Sequence, residues 1–376
     1  MPGASSSNSA KPTLGTGRSA APRRRQRVTT GASSEATPRL RQAWSRLSDE
    51  DLLQLRFCDL KLQLAGSRLE KRLKRLYVDL ERRGIAFRPH MWLSEEWFSP
   101  DGVPGIAVPF YLAHPRLERL ERQMMRQVEG GNANWLMRIL RHEAGHAIDT
   151  AYRLRRRRRW RETFGPASLP YPERYRARPG SRRYVHHLGE WYAQSHPTED
   201  FAETFAVWLK PNSDWRRSYE SWPAWHKLSF VDELMHEVRD STPAVRNRTR
   251  IEPLDDNRRT LAEHYRLKLA RYSQYRRGAA DELLQRVFTA VPARARAPRA
   301  SVLLRMAKPL LVASVAREAD VDRYTVYQIL RHAIARSNEL DLRVRGSRRE
   351  ALRHARWMLI RLVQLYGQGA SAHLSL

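Results

Sequence analysis

His142-Glu143-Ala144-Gly145-His146 sets two imidazoles four residues apart, with a carboxylate beside the first. Residues four apart on a helix share a face, so both rings can aim at one point, the arrangement a zinc ion takes. Glu143 would then project beside that point, where it can accept a proton from water without ligating the metal. HExxH also arises by chance in ordinary helices, so a third ligand must decide. A glycine three residues and a histidine six residues beyond the motif would supply one, but Asp149 and Tyr152 stand there. A later glutamate is the other route, and Glu199-Asp200-Phe201-Ala202-Glu203 offers two carboxylates four apart on an otherwise apolar helix. Acids on the inward side of such a helix are costly unless a positive group meets them. Glu199 is therefore assigned as the third ligand and Glu203 as the acceptor that orients the free ring N–H of a ligating histidine. The alternative is a pair of solvent-facing acids favoured by the helix dipole. His196 competes with Glu199, although a residue preceding Pro197 is biased toward extended geometry. His186 and His187 are further candidates, and Asp149 is left unassigned.

The elements that must position these residues follow from periodicity. Leu136, Leu140, Ala144, Ala147 and Ile148 form an apolar stripe on a helix expected over residues 134–155, with Asn132 or Asn134 as N-cap. Other helices are expected from about Ser48, over 67–83, 198–209, 230–239 and 258–289. Between Phe87 and His114, short apolar runs broken by Pro and Gly read as strands with a turn at Ser99-Pro100-Asp101-Gly102. Pro109 cannot donate to a ladder, which suits an edge strand, and an extended substrate could add along a Gly105 to His114 edge. A small sheet between helices makes the fold class α+β.

HEAGH, YAQSHPTEDFAETFAVWL (192–209) and WRRSYESWPAWHKLSFVDELM (215–235) together resemble the bacterial zinc-binding metallopeptidase family. They are more distantly similar to the catalytic domain of anthrax lethal factor. The resemblance covers about residues 85–240 and implies a zincin-like fold of the gluzincin style, in which two helix histidines and a downstream glutamate bind zinc. Glu199-Asp200-Phe201-Ala202-Glu203 matches the ligand run of lethal factor apart from Asp200, which supports ligation by Glu199. The same comparison places Tyr192, seven residues before Glu199, as donor to the developing oxyanion. The implied activity is a zinc-dependent metallopeptidase, an endopeptidase rather than an exopeptidase, cleaving peptide bonds by water that Glu143 activates. The catalytic pair is thus Glu143 and Tyr192, the metal ligands His142, His146 and Glu199, and the cofactor Zn2+.

With 69 Lys and Arg against 40 Asp and Glu, the net charge is +29, which favours acidic proteins or nucleic acid as partners. The basic run Arg153 to Glu162 and Arg174, Arg176, Arg178, Arg182 and Arg183 make the lobe between the metal motifs positive. Residues 1–42, with Glu35 as their one acid, read as a disordered basic tail; residues 43–245 read as the peptidase domain and 246–376 as an all-α C-terminal region. Within that region 313–332 resembles a helix-turn-helix, with Asp320 where a turn glycine is usual. This keeps open an alternative: a DNA-associated regulator whose zincin domain is structural or inactive. The lone Cys58 excludes an internal disulfide, and no apolar run is long enough to span a membrane. The expected location is the cytoplasm.

Overall fold

The computed structural model describes residues 43–125, 127–172, 174–274, 279–290, 297–367 and 371–373. The expected tail, 1–42, lies outside them. Helices α1 (Asp49–Gln54), α2 (Glu70–Arg82) and α3 (Pro115–Met125) flank strands β1 (His90–Ser94) and β2 (Gly105–Pro109). There follow α4 (Ala133–Tyr152), α5 (Arg158–Phe164), β3 (Arg174–Arg176), α6 (Pro197–Leu209), α7 (Trp215–Ser218), α8 (Ala224–Val238) and α9 (Leu261–Gln274). The C-terminal part comprises α10 (Ala279–Val287), α11 (Ala300–Met306), α12 (Lys308–Glu318), α13 (Arg323–Glu339) and α14 (Arg348–Gly367), with β4 (Thr289–Ala290), β5 (Leu342–Arg343) and β6 (Ser371–His373). Helices with a small sheet agree with the α+β expectation. No helix among the described residues is long and apolar enough to cross a membrane.

Local chemistry explains the starts of the helices that matter. Ser48 caps α1, its Oγ accepting from Asp51 N at 3.1 Å. Asn132 caps α4, its Oδ1 accepting from Trp135 N at 2.9 Å. The stripe Leu73, Leu76 and Leu80 buries α2 in the core. From the same helix, Asp79 accepts from Arg141 Nε and Nη2 at 3.0 and 2.7 Å, pinning α4 one residue before His142.

The strands depart from expectation. β1 and β2 pair in parallel, from His90 opposite Gly105 to Ser94 opposite Pro109. Phe98 bridges to Ala107, with Ala107 N donating to Phe98 O at 2.8 Å, so β2 has neighbours on both sides and all five of its residues are buried. Phe110–Ala113 turn into a 3-10 helix. The Gly105 to His114 segment is therefore no free edge, and strand addition by substrate there loses its basis. Pro109 is tolerated because it ends the strand.

Among the described residues two large hydrophobic cores form, beside a small cluster of Trp92, Val103 and Ala107. The first holds α2, α4, α6 and α8 and reaches Leu254, Leu261 and Tyr265. The second, built from α10 to α14, takes in Tyr175, Ala177 and Trp191 from the segment between the two metal motifs.

Within 313–332, α12 ends at Glu318 and α13 begins at Arg323, with Asp320 between them in the left-handed region at φ 50°. The first turn of α13 is not free. The Tyr324 ring lies edge-on to Trp222 at 6.0 Å and under Arg182 at 4.5 Å, and Gln328 is buried. This packing lends DNA reading no support.

Candidate metal centre

α4 and α6 lie unusually close. A Cβ on Gly145 would stand 2.9 Å from Ala202 Cα and 3.2 Å from its carbonyl oxygen. The missing side chain thus lets the glutamate helix settle against the histidine helix. On the other side, Phe201 packs on Trp160 and Phe164 of α5, with ring centres 5.7 and 5.5 Å away. That packing explains part of the basic run: Trp160 is fully buried, while Arg157 and Arg159 pair with Glu237 and Glu233 of α8.

The approach brings three side chains together. His146 Nε2 lies 3.1 Å from His142 Nε2 and 3.1 Å from Glu199 Oε2, and His142 Nε2 lies 3.0 Å from the same oxygen. Ligands about 2.0–2.1 Å from a tetrahedral zinc stand about 3.3 Å apart, so this nearly equilateral triangle of two nitrogens and an oxygen suits the ion. The donor set fits as well. The unused ring nitrogen of His142 faces Glu203 Oε1 at 2.9 Å, and Glu203 Oε2 accepts from Leu188 N at 2.8 Å. With zinc bound, this would keep the His142 proton on Nδ1 and leave the Nε2 lone pair for the ion. Burial opposes charge on His142, but hydrogen bonds to Glu199 and Glu203 and their charges outweigh it and raise its pKa to about 10. Burial likewise opposes charge on Glu199 and Glu203, yet the histidines hold both below the usual carboxylate range.

A family model described as "Putative zinc-binding metallo-peptidase" matches residues 116–217. That span includes both metal motifs. No curated protein and no solved structure matches the chain. The matched description and the His-His-Glu cluster together identify zinc as the cofactor.

The remaining candidates divide cleanly. Glu143, next to His142 in α4, is buried, and its Oε2 accepts from Ser99 Oγ at 2.8 Å. Tyr192 is buried with its ring 5.6 Å from that of His142, and burial pushes its hydroxyl well above the usual tyrosine range. His196 is extended, at φ −158° and ψ 153°, and caps α6. Its Nε2 faces Leu169 O at 2.9 Å and its Nδ1 faces Thr198 Oγ1 at 2.6 Å, so neither nitrogen reaches the triangle. His187 donates to Arg138 O at 2.9 Å, and burial lowers its pKa to about 3. Burial lowers that of His186 to about 4, and it too stands outside the cluster. Asp149 accepts from Arg155 N at 2.7 Å and secures the end of α4. Asp200 is buried against Lys227 of α8; burial nonetheless raises its pKa to about 7.

Three contributors escaped the sequence. Ser99 read only as part of a turn, which its neighbours Pro100, Asp101 and Gly102 do form. Tyr171 donates to Glu199 Oε1 at 2.8 Å and stacks on His196 with ring centres 3.9 Å apart. Its one signal was an aromatic ring held between Pro170 and Pro172. Gly145 carried a signal too, since a glycine inside a helix costs about 1 kcal/mol relative to alanine and so invites a packing reason.

Proposed function

We propose that the protein is a zinc-dependent peptidase of the gluzincin style, in which His142, His146 and Glu199 hold the ion and Glu143 is the general base. The observation that supports it is the triangle of donor atoms 3.0–3.1 Å apart, with Glu143 buried next to His142 along α4. When bound, zinc supplies a Lewis acid that polarises a carbonyl and makes water more acidic. Glu143 takes a proton from the attacking water as the new C–O bond forms. It returns the proton to the leaving nitrogen as the C–N bond breaks. Ser99 holds Glu143 Oε2, which fixes the plane of the carboxylate for that transfer. Tyr192, kept neutral by burial, donates its hydroxyl to the oxygen on which charge develops. Glu203 fixes the His142 tautomer, and Tyr171 occupies Glu199 Oε1 so that Oε2 faces the rings.

A resemblance of residues 192–203 to the lethal factor catalytic domain would imply the same roles for Glu199 and Tyr192. On this reading residues 43–245 form the peptidase domain, 246–376 a helical addition and 1–42 a basic tail, the substrate is protein or peptide, and acidic segments of it are drawn by the net positive charge. A cytoplasmic location suits the free Cys58.

The test compares zinc content and cleavage of peptides blocked at both ends for wild type, Glu143→Gln and Glu199→Ala. Glu143→Gln should keep zinc and lose cleavage; Glu199→Ala should lose both. Stoichiometric zinc in Glu199→Ala would transfer the ligand role elsewhere. Zinc-loaded wild type that cleaves no peptide would make the centre a scaffold.

A further inference from the structure

The segment linking His187 to Tyr192 carries two consecutive residues, Glu190 and Trp191, in the left-handed region, each at φ 56°. Side-chain-bearing residues hold that conformation only where their surroundings enforce it. Here the enforcing groups come from the C-terminal helices. Glu190 Oε1 meets His332 Nε2 of α13 at 2.9 Å, and its Oε2 accepts from Tyr366 of α14 at 3.2 Å. The Trp191 ring is buried in the second core, edge-on to Tyr366 at 4.8 Å and 5.2 Å from His332. Tyr175 donates to the Glu190 carbonyl at 2.8 Å.

The residues on either side of this anchored pair face the metal centre. Leu188 N donates to Glu203 Oε2, and the other oxygen of Glu203 holds His142 Nδ1. Tyr192 follows Trp191 directly and lies against His142. A second tie runs parallel: Arg138, one turn before His142, reaches Glu339 of α13 at 3.3 Å, and its carbonyl accepts from His187.

We propose that the C-terminal bundle is a working part of the metal centre, with Glu190, gripped by His332 and Tyr366, as the positioning residue that sets Leu188 under Glu203 and Tyr192 beside His142. A strained link with polar groups at fixed places needs an external clamp, and a carboxylate held from two helices supplies one. Without the clamp the left-handed pair relaxes, the Leu188 amide leaves Glu203, and the His142 ring loses its fixed orientation. The bundle thus acts on the metal without touching it. This inference rests on His142, His146 and Glu199 being the zinc ligands, and not on the chain being a peptidase.

The test measures the rate at which the zinc-loaded full chain loses its ion to excess chelator. Glu190→Gln and His332→Leu should speed loss about tenfold or more, because supporting hydrogen bonds of this kind change metal affinity by about 10–100-fold. Tyr366→Phe, which removes one hydroxyl, should speed it about threefold. Leu304→Ala, a buried residue of the same bundle, serves as control: it should lower the melting temperature and leave zinc loss within twofold of wild type. The visible spectrum of the cobalt-substituted chain should shift in Glu190→Gln and not in Leu304→Ala. Should Glu190→Gln fail to fold, His332→Leu and Tyr366→Phe carry the decision. Unchanged zinc loss in the variants that fold, or equal acceleration in Leu304→Ala, overturns the proposal. Absence of peptide cleavage in wild type with these differences intact would remove the peptidase reading and leave this one standing.

Discussion

Gly145→Ala is the most informative single change. The new Cβ would stand 2.9 Å from Ala202 Cα, where ordinary contact begins at 3.4 Å, so α4 and α6 must part by about half an ångström. The neighbour is backbone and cannot swing aside. Overpacking of this kind costs about 1–3 kcal/mol, against about 1 kcal/mol gained by replacing glycine within a helix. The net loss of stability is therefore about 1 kcal/mol. The effect on the site is larger. Metal ligands must keep their places to within about 0.2 Å, and the whole of Glu199 rides on α6. Zinc affinity should fall about 10–100-fold, equivalent to about 1.4–2.8 kcal/mol. Chelator competition gives the affinity and chemical denaturation of the metal-free chain gives the stability. A variant that binds zinc as tightly as wild type and is more stable would refute the reasoning, since it would mean the helices had room to spare.

Three further outcomes follow from the geometry. Ser99→Ala should lower kcat about tenfold with zinc content unchanged, because one hydrogen bond to the Glu143 carboxylate is lost; an unaltered kcat would remove Ser99 from the mechanism. Tyr171→Phe should weaken zinc binding about tenfold by freeing Glu199 Oε1 while leaving the melting temperature of the metal-free chain nearly unchanged, as the ring is half exposed; equal affinity would show that Glu199 needs no support. Glu95 is an acid switch on stability. Burial opposes its charge, but hydrogen bonds from His264 and Asn257 and the charge of Arg259 bring its pKa down to about 2. A depressed carboxylate stabilises the fold above its unfolded value of about 4.5, and that contribution fades as pH falls toward 2. After discounting for solvent it amounts to roughly 1–2 kcal/mol. Denaturation of metal-free wild type and Glu95→Gln should differ by that much at pH 6, and the difference should shrink steadily as pH falls below about 4.5 toward 2; a constant difference would contradict the assignment.

The sequence determined what depends on neighbours along the chain. A spacing of four residues put His142 and His146 on one face, and also Glu199 and Glu203, because helical geometry is local. Asn132 and Ser48 announced two helix starts for the same reason, and Pro197 announced that His196 would be extended and so a poor ligand. Tertiary structure decided everything that depended on which surfaces meet. Strand pairing is set by contacts between distant residues, so the run around Phe98 read as extended but gave no sign that it would bridge to β2. Ser99 and Tyr171 act through side chains that arrive from far away, 44 and 28 residues from the carboxylates they hold. The C-terminal helices carry a periodicity that serves a DNA-reading pair and a packing bundle equally well. The burial of Gln328 and the contacts of Tyr324, His332 and Tyr366 show what these helices pack against, which their period could not announce. Helical period is a property of the backbone, whereas the partner of a helix face is chosen by shape and charge across space. The chain therefore spelled out its candidate ligands, and folding brought them together and supplied the groups around them.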